Sequence, residues 1–216
     1  MPIPYNQARL VDAVRAVKEY NSGHNMGTPN YIVDQWGYDM FKHGISGSKH
    51  HLIRQLHWLS VIYKGIAYPE GKFIEEIAGR IINNMHTFHM LNRLRPLSER
   101  TPSRIVIDKI WTIFTNVHTS GSKKKNYITL CTKLLHFIRP DIFIPCDERV
   151  KNFFIGRKHV NPNDYQKILV IVKDIINGKD HDCPFCHNIR IIRKMDWRWY
   201  HGDVKMVDKI AFVCGK

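Results

Sequence analysis

The amino-acid sequence predicts an all-α fold, and three observations carry it. Apolar residues recur every three or four positions through most of the chain. Helix stop and start signals punctuate it, at Arg95-Pro96, Arg139-Pro140 and Asn161-Pro162. The connections between periodic segments are short, with no internal repeat or low-complexity tract.

The elements follow in order. Residues 6–20 read as a helix, with Ala8, Val11, Val14 and Val17 on one face and Gly23 as its stop. Residues 21–47 are rich in Gly, Asn, Ser, Pro and aromatics, and read as a loop holding at most short elements. A second helix covers 48–63, with Leu52, Leu56, Leu59 and Tyr63 on one face. A broken helical stretch covers 70–94. Helix 104–117 carries Ile105, Ile107, Ile110, Trp111 and Phe114 as its apolar residues, and helix 126–138 carries Leu130, Leu134 and Phe137. A further helix opens near Asp147. Asn161 caps the next, with Pro162 in its first turn, and it runs to Asn177-Gly178. A short helix over 203–213 ends the pattern.

At 216 residues the chain makes one domain, or one with two lobes, and can bury a sizeable core. The 33 Lys and Arg against 19 Asp and Glu leave a net charge of +14. Such an excess favours a polyanionic partner, and nucleic acid is the commonest. Met1-Pro2-Ile3-Pro4-Tyr5 lacks the apolar stretch of a signal peptide. No apolar run approaches the roughly 20 residues that span a bilayer. Five cysteines without disulfide-like spacing suit a reducing compartment. The expectation is a cytoplasmic monomer with no membrane partner.

The most informative stretch runs from Thr132 to Val150. An apolar helix stops at Arg139-Pro140. A short extended apolar run follows, and Ile144-Pro145-Cys146-Asp147 opens the next helix. Over residues 119–154 this order of lysine, helix, Ile-Pro-x-Asp and helix resembles the helix-hairpin-helix DNA glycosylase superfamily. The resemblance implies a two-lobed, glycosylase-like helical fold. One lobe would span about 1–100 plus the C-terminal segment, and the helix-hairpin-helix lobe 101–178. It also implies that Asp147 is the essential carboxylate and that a lysine upstream is the amine of a bifunctional enzyme.

The chemistry of these residues agrees with that. Breaking a C1′–N bond builds positive charge on the sugar, which a fixed carboxylate stabilises. Asp147 follows a proline and sits where a helix N-terminus favours negative charge. As an aspartate at that place it is also a natural N-cap. Lys133 lies 14 residues before Asp147, and Lys123 lies 24 before it. Either could attack C1′ if burial lowers its pKa, and the spacing leaves both open. If neither attacks, water does.

Between helices 104–117 and 126–138 lies Ser120-Gly121-Ser122-Lys123-Lys124-Lys125, a basic turn fit to meet a DNA phosphate through backbone N–H groups and lysines. It holds one glycine and no apolar residues, unlike the family's Leu-Pro-Gly-Val-Gly type of hairpin. Arg149 joins it as a DNA contact. Trp36, Trp197, Trp199 and Tyr200 are candidates for stacking on a flipped base. Cys183 and Cys186 have metal-ligand spacing and are candidates for a structural zinc, although a closed site needs two more ligands. The four-cysteine pattern of an iron–sulfur cluster is absent. The chemistry itself requires no cofactor. His50, His51, His86 and His89 read as surface or core histidines, and Met85 and Met90 as core filler.

The expected function is cleavage of the N-glycosidic bond of a damaged or modified base in duplex DNA after base flipping. A modified pyrimidine of the kind some phages carry is one candidate substrate, in a prokaryotic or phage setting. A base-hypermodifying transferase on the same scaffold and a non-catalytic DNA-binding module are the alternatives.

Overall fold

The computed structural model describes residues 2–25, 27–61, 71–118, 124–157, 159–196 and 201–216. The protein is all-α, with two short antiparallel ribbons as its strands among the described residues. None of the helices described is long and apolar enough to cross a membrane.

Helix α1 (Leu10–Ser22) starts later than periodicity predicts. The preceding backbone is used elsewhere: the Ile3 N–H donates to Cys214 O at 2.7 Å and the Tyr5 N–H to Phe153 O at 3.0 Å. Ribbon β1 (His24–Asn25) and β2 (Thr28–Pro29) leads into α2 (Asn30–Phe41), where the sequence reads as loop. Gly37 lowers the intrinsic helix propensity of α2, yet packing demands it. A Cβ there would lie 2.2 Å from the Phe137 ring.

Helix α3 (Lys49–Val61) packs on α4 (Gly71–Asn83), which Asn84 separates from α5 (Met85–Leu91). Helix α6 (Arg104–Phe114) stops three residues before the expected end at 117. The Arg80 guanidinium donates to Ile113 O at 3.4 Å, a last-turn carbonyl that a helix end leaves orphaned, and to the carbonyls of Thr115 at 2.7 Å and Asn116 at 3.0 Å just beyond the helix. Asn116 turns into the left-handed region at φ 51°. The chain then pairs as β3 (Val117–His118) with β4 (Lys124–Lys125), so a ribbon joins α6 to α7 (Ile128–Ile138).

Helix α8 (Glu148–Ile155) ends at Gly156 in the left-handed conformation. Helix α9 (Pro162–Ile176) has the expected start: Asn161 Oδ1 accepts from the Asp164 N–H at 3.0 Å, and Asp164 accepts from the Asn161 N–H in return. A 3₁₀ turn at Cys186–Asn188 precedes α10 (Ile189–Met195), and α11 (Asp203–Cys214) closes the fold. Helix α11 packs on α1, α8 and α9 and is buried along most of its length. The buried apolar side chains of these elements form one core running from Ala8 to Cys214.

Candidate functional site

The site is built on the extended segment between α7 and α8. Ile142, Phe143 and Ile144 are fully buried, so their backbone groups need internal partners. Helices α7 and α9 supply several. His136 Nδ1–H donates to Phe143 O at 2.7 Å, since a carbonyl can only accept. That leaves Nε2 of the neutral ring to accept from the Tyr38 hydroxyl at 2.8 Å. The Tyr165 hydroxyl donates to Ile144 O at 2.8 Å, and the Cys146 N–H donates to Thr132 Oγ1 at 2.9 Å. The segment is thereby tied to α7 immediately beside Lys133.

Asp147 is the N-cap of α8. Its Oδ1 accepts from the N–H groups of Arg149 at 3.0 Å and Val150 at 3.1 Å. The cap occupies one carboxylate oxygen, and Oδ2 has no hydrogen-bond partner among the described residues. Lys133 is 5% exposed on α7. Burial lowers the pKa of its amine, against the opposing pull of Asp147 and Asp208. Lys133, Pro145, Asp147 and Arg149 all line one cavity of about 560 Å³, within the range of ligand pockets. The Arg149 guanidinium lies over the Phe212 ring, 4.2 Å from its centroid.

A polar network, not foreseen from the sequence, flanks this cavity. Lys205 Nζ lies 3.0 Å from Asp34 Oδ1 and 2.8 Å from Asp208 Oδ2, and donates to the Tyr20 hydroxyl oxygen at 3.1 Å. Tyr20 in turn donates to Asp34 Oδ2 at 3.0 Å. Tyr20 and Asp208 line the cavity. A second buried pair joins Lys209 to Asp196 at 2.8 Å, with Asn21 donating to the same carboxylate at 2.7 Å. The sequence carries one signal for these groups. Lys205, Asp208 and Lys209 stand at i, i+3 and i+4 within the apolar run Val204 to Val213, which puts three charges on one face of a buried helix.

The other expected residues are dispersed. Trp36 lies on α2, 48% exposed, and does not line the cavity. Trp197, Trp199 and Tyr200 lie outside the described residues, as do Ser120, Gly121, Ser122 and Lys123. Lys124 and Lys125 form β4. Cys183 and Cys186 are buried, and the Cys186 thiol donates to Asp180 O at 2.8 Å. Burial pushes both thiols up, Cys183 to about 12. Among the described residues no three His, Cys, Asp or Glu side chains converge as a metal site would need. The pair alone supplies two of the four ligands of a structural zinc.

No family model, curated protein or solved structure matches the chain.

Proposed function

We propose that the protein is a DNA glycosylase that excises a damaged or modified base, with Lys133 and Asp147 at the sugar. One observation carries the reading: a buried lysine of lowered pKa and a carboxylate with an uncapped oxygen line the same cavity. A lysine attacks a sugar carbon as the neutral amine, and burial is what raises the neutral fraction. Asp147 offers negative charge where the sugar becomes positive as the C1′–N bond opens. Rigid mounting matters here, because misplacement of a reacting group by 1 Å can cost about a hundredfold in rate. The bonds from Thr132, His136 and Tyr165 to the segment before Asp147 supply that rigidity. The net charge of +14 supports duplex DNA as the partner, through neutralisation of backbone phosphates. Base flipping would bring the target nucleotide to the cavity.

The test is incubation of the full chain with duplexes carrying varied modified pyrimidines. The expected result is a free base in solution together with an alkali-labile site in the strand. A heavier base in an intact strand would favour the transferase instead. Tight binding with unaltered DNA across the panel would favour a non-catalytic module.

A further inference from the structure

The network of α11 places two carboxyl groups on one ammonium. Asp34, Lys205 and Asp208 are each no more than 4% exposed. Two buried carboxylates held side by side on one ammonium repel each other in a dry setting, and a proton on one of them relieves the repulsion. Asp34 is met on both oxygens, by Lys205 and by the Tyr20 hydroxyl. Asp208 is met on Oδ2 alone, and Oδ1 has no hydrogen-bond partner among the described residues. The proton therefore belongs on Asp208, the member of the two that lines the cavity with Lys133 and Asp147.

We infer that Asp208 is the general acid of this cavity, delivering its proton to the departing base, and that the site is thereby fitted to bases that leave poorly as anions. The inference rests on the glycosylase reading above. Cavities that run acid chemistry near neutrality hold one carboxyl neutral beside another that stays charged. The surroundings of Asp208 agree. Burial first, then the charges of Asp147 and Asp34, push its carboxyl up to about 6 against the pull of Lys205. Among the described residues, Lys133 on α7, Cys146 and Arg149 about the start of α8, Tyr20 on α1, Tyr38 on α2 and Tyr165 on α9 are the other titratable and charged groups around Asp208, and His136, His201 and Lys209 lie about its neighbours Asp34 and Lys205.

The step balances without a further reactant. The C1′–N1 bond of a pyrimidine nucleotide breaks, and its electron pair goes to the base. The Asp208 proton passes to the base O2, and the base leaves neutral. The lone pair of neutral Lys133 forms the new bond to C1′. The resulting ammonium returns one proton to the Asp208 carboxylate.

The experiment measures single-turnover release from three duplexes that differ only in one base mispaired with guanine, 5-fluorouracil, uracil or thymine, in order of decreasing ease of leaving as an anion. Asp208→Asn is expected to slow thymine release by about 10²–10⁴-fold, the usual worth of a general acid, and 5-fluorouracil release by less than about tenfold. Asp208→Glu, which restores a carboxyl, is expected to recover part of the thymine rate; it also serves if the asparagine variant folds poorly. Wild-type release of thymine should decline as the pH rises through about 6, a limb absent in Asp208→Asn. Equal losses on all three bases would overturn the assignment. Carboxyl titration by ¹³C NMR on the DNA-free protein separates the two possible failures. If no base is released, yet a resonance titrating near pH 6 vanishes in Asp208→Asn, the glycosylase reading falls and the cavity acid stands. If the wild type has no such resonance, the acid itself is overturned.

Discussion

The backbone N–H of Cys146 donates to Thr132 Oγ1 at 2.9 Å, joining the residue after which Lys133 follows to the residue after which Asp147 follows. The bond is buried, and it sets the mutual position of amine and carboxylate from one step back along each chain segment. Thr132 Oγ1 in turn donates to Thr129 O at 3.2 Å, which fixes the hydroxyl hydrogen and leaves a lone pair for Cys146.

Removing the hydroxyl should therefore harm stability and catalysis together. Thr132→Val keeps the shape but strands a buried N–H, at a cost of about 1–3 kcal/mol. Denaturant unfolding should record that loss. Under the proposed function, single-turnover base release should fall further than DNA affinity does, because the groups proposed to react lose their mounting while the lysines proposed to meet phosphates keep theirs. Thr132→Ser should retain both properties. A valine variant with wild-type stability would mean that this bond does not hold the site together.

The parts of the site that were legible in the sequence are local. Stop at Arg139-Pro140, extended apolar run, Ile144-Pro145, acid: each signal lies within a few residues of what it specifies, and α7, α8 and the Asp147 cap all follow. Helix α2 was not legible, because its sequence contains Gly37, asparagine and several aromatics, and what stabilises it is packing against α7 about a hundred residues later. Asp34 was hidden for the same reason, since Lys205 is its partner only in the folded chain. Past the early end of α6, the carbonyls of Thr115 and Asn116 are met by Arg80 from another helix, which no pattern within 104–117 reveals.

The close crossing of α2 and α7 can be tested at Gly37. Alanine is the better helix former by about 1 kcal/mol, so local propensity alone would have Gly37→Ala stabilise the protein. The added Cβ would instead lie 2.2 Å from the Phe137 ring. Forcing the helices apart should cost on the order of 1–3 kcal/mol, lowering the melting temperature. A rise in melting temperature would show that α2 and α7 do not cross this closely.

His136 predicts a pH dependence of stability. Burial, ahead of the nearby Lys205, pushes its pKa down to about 3 from 6.5. Above pH 6.5 the ring is neutral in both folded and unfolded chains. Below it, the unfolded chain takes up a proton that the folded ring refuses, so stability falls by about 1.4 kcal/mol per pH unit until about pH 3. Asp208 acts in the opposite sense. Its carboxyl, pushed up to about 6 from 3.8, keeps a proton that the unfolded chain releases, so the folded state gains as the pH falls through that window. Comparing wild type with His136→Gln cancels the Asp208 contribution. The stability advantage of wild type over that variant should shrink by about 2 kcal/mol between pH 6.5 and 5, read from urea unfolding. A constant advantage would mean the ring gains its proton in the folded state as well.

DNA binding should depend on salt and only weakly on sequence. The charge of +14 and the lysine run 123–125 motivate this. Each neutralised phosphate contributes about 0.9 to the slope of log K against log salt on duplex DNA. Replacing Lys123, Lys124 and Lys125 together with alanine should weaken binding. It should also flatten that slope by about one unit for every phosphate left without its lysine. An unchanged slope would sink the assignment of this turn to a DNA phosphate.

The last prediction separates the two roles open to Asp147. As an N-cap, it uses one oxygen to accept two backbone N–H bonds, and an asparagine Oδ1 can accept them nearly as well. Asp147→Asn should therefore fold normally and bind DNA with wild-type affinity. As the carboxylate at the sugar, it supplies negative charge that asparagine cannot, in a partly enclosed site where charges are weakly screened. Base release should then fall by about 10²-fold or more. Full release by the asparagine variant would reduce Asp147 to a cap. Borohydride trapping addresses the amine. Attack by Lys133 yields a Schiff base that reduction converts to a covalent protein–DNA adduct. That adduct should form with wild type and with Lys123→Ala, and disappear with Lys133→Ala. Base release without an adduct from wild type would make water the nucleophile. Lys133 would then serve as a buried positive charge between Asp147 and Asp208, whose fields both raise its pKa, and Lys133→Ala would be expected to slow release without changing its products.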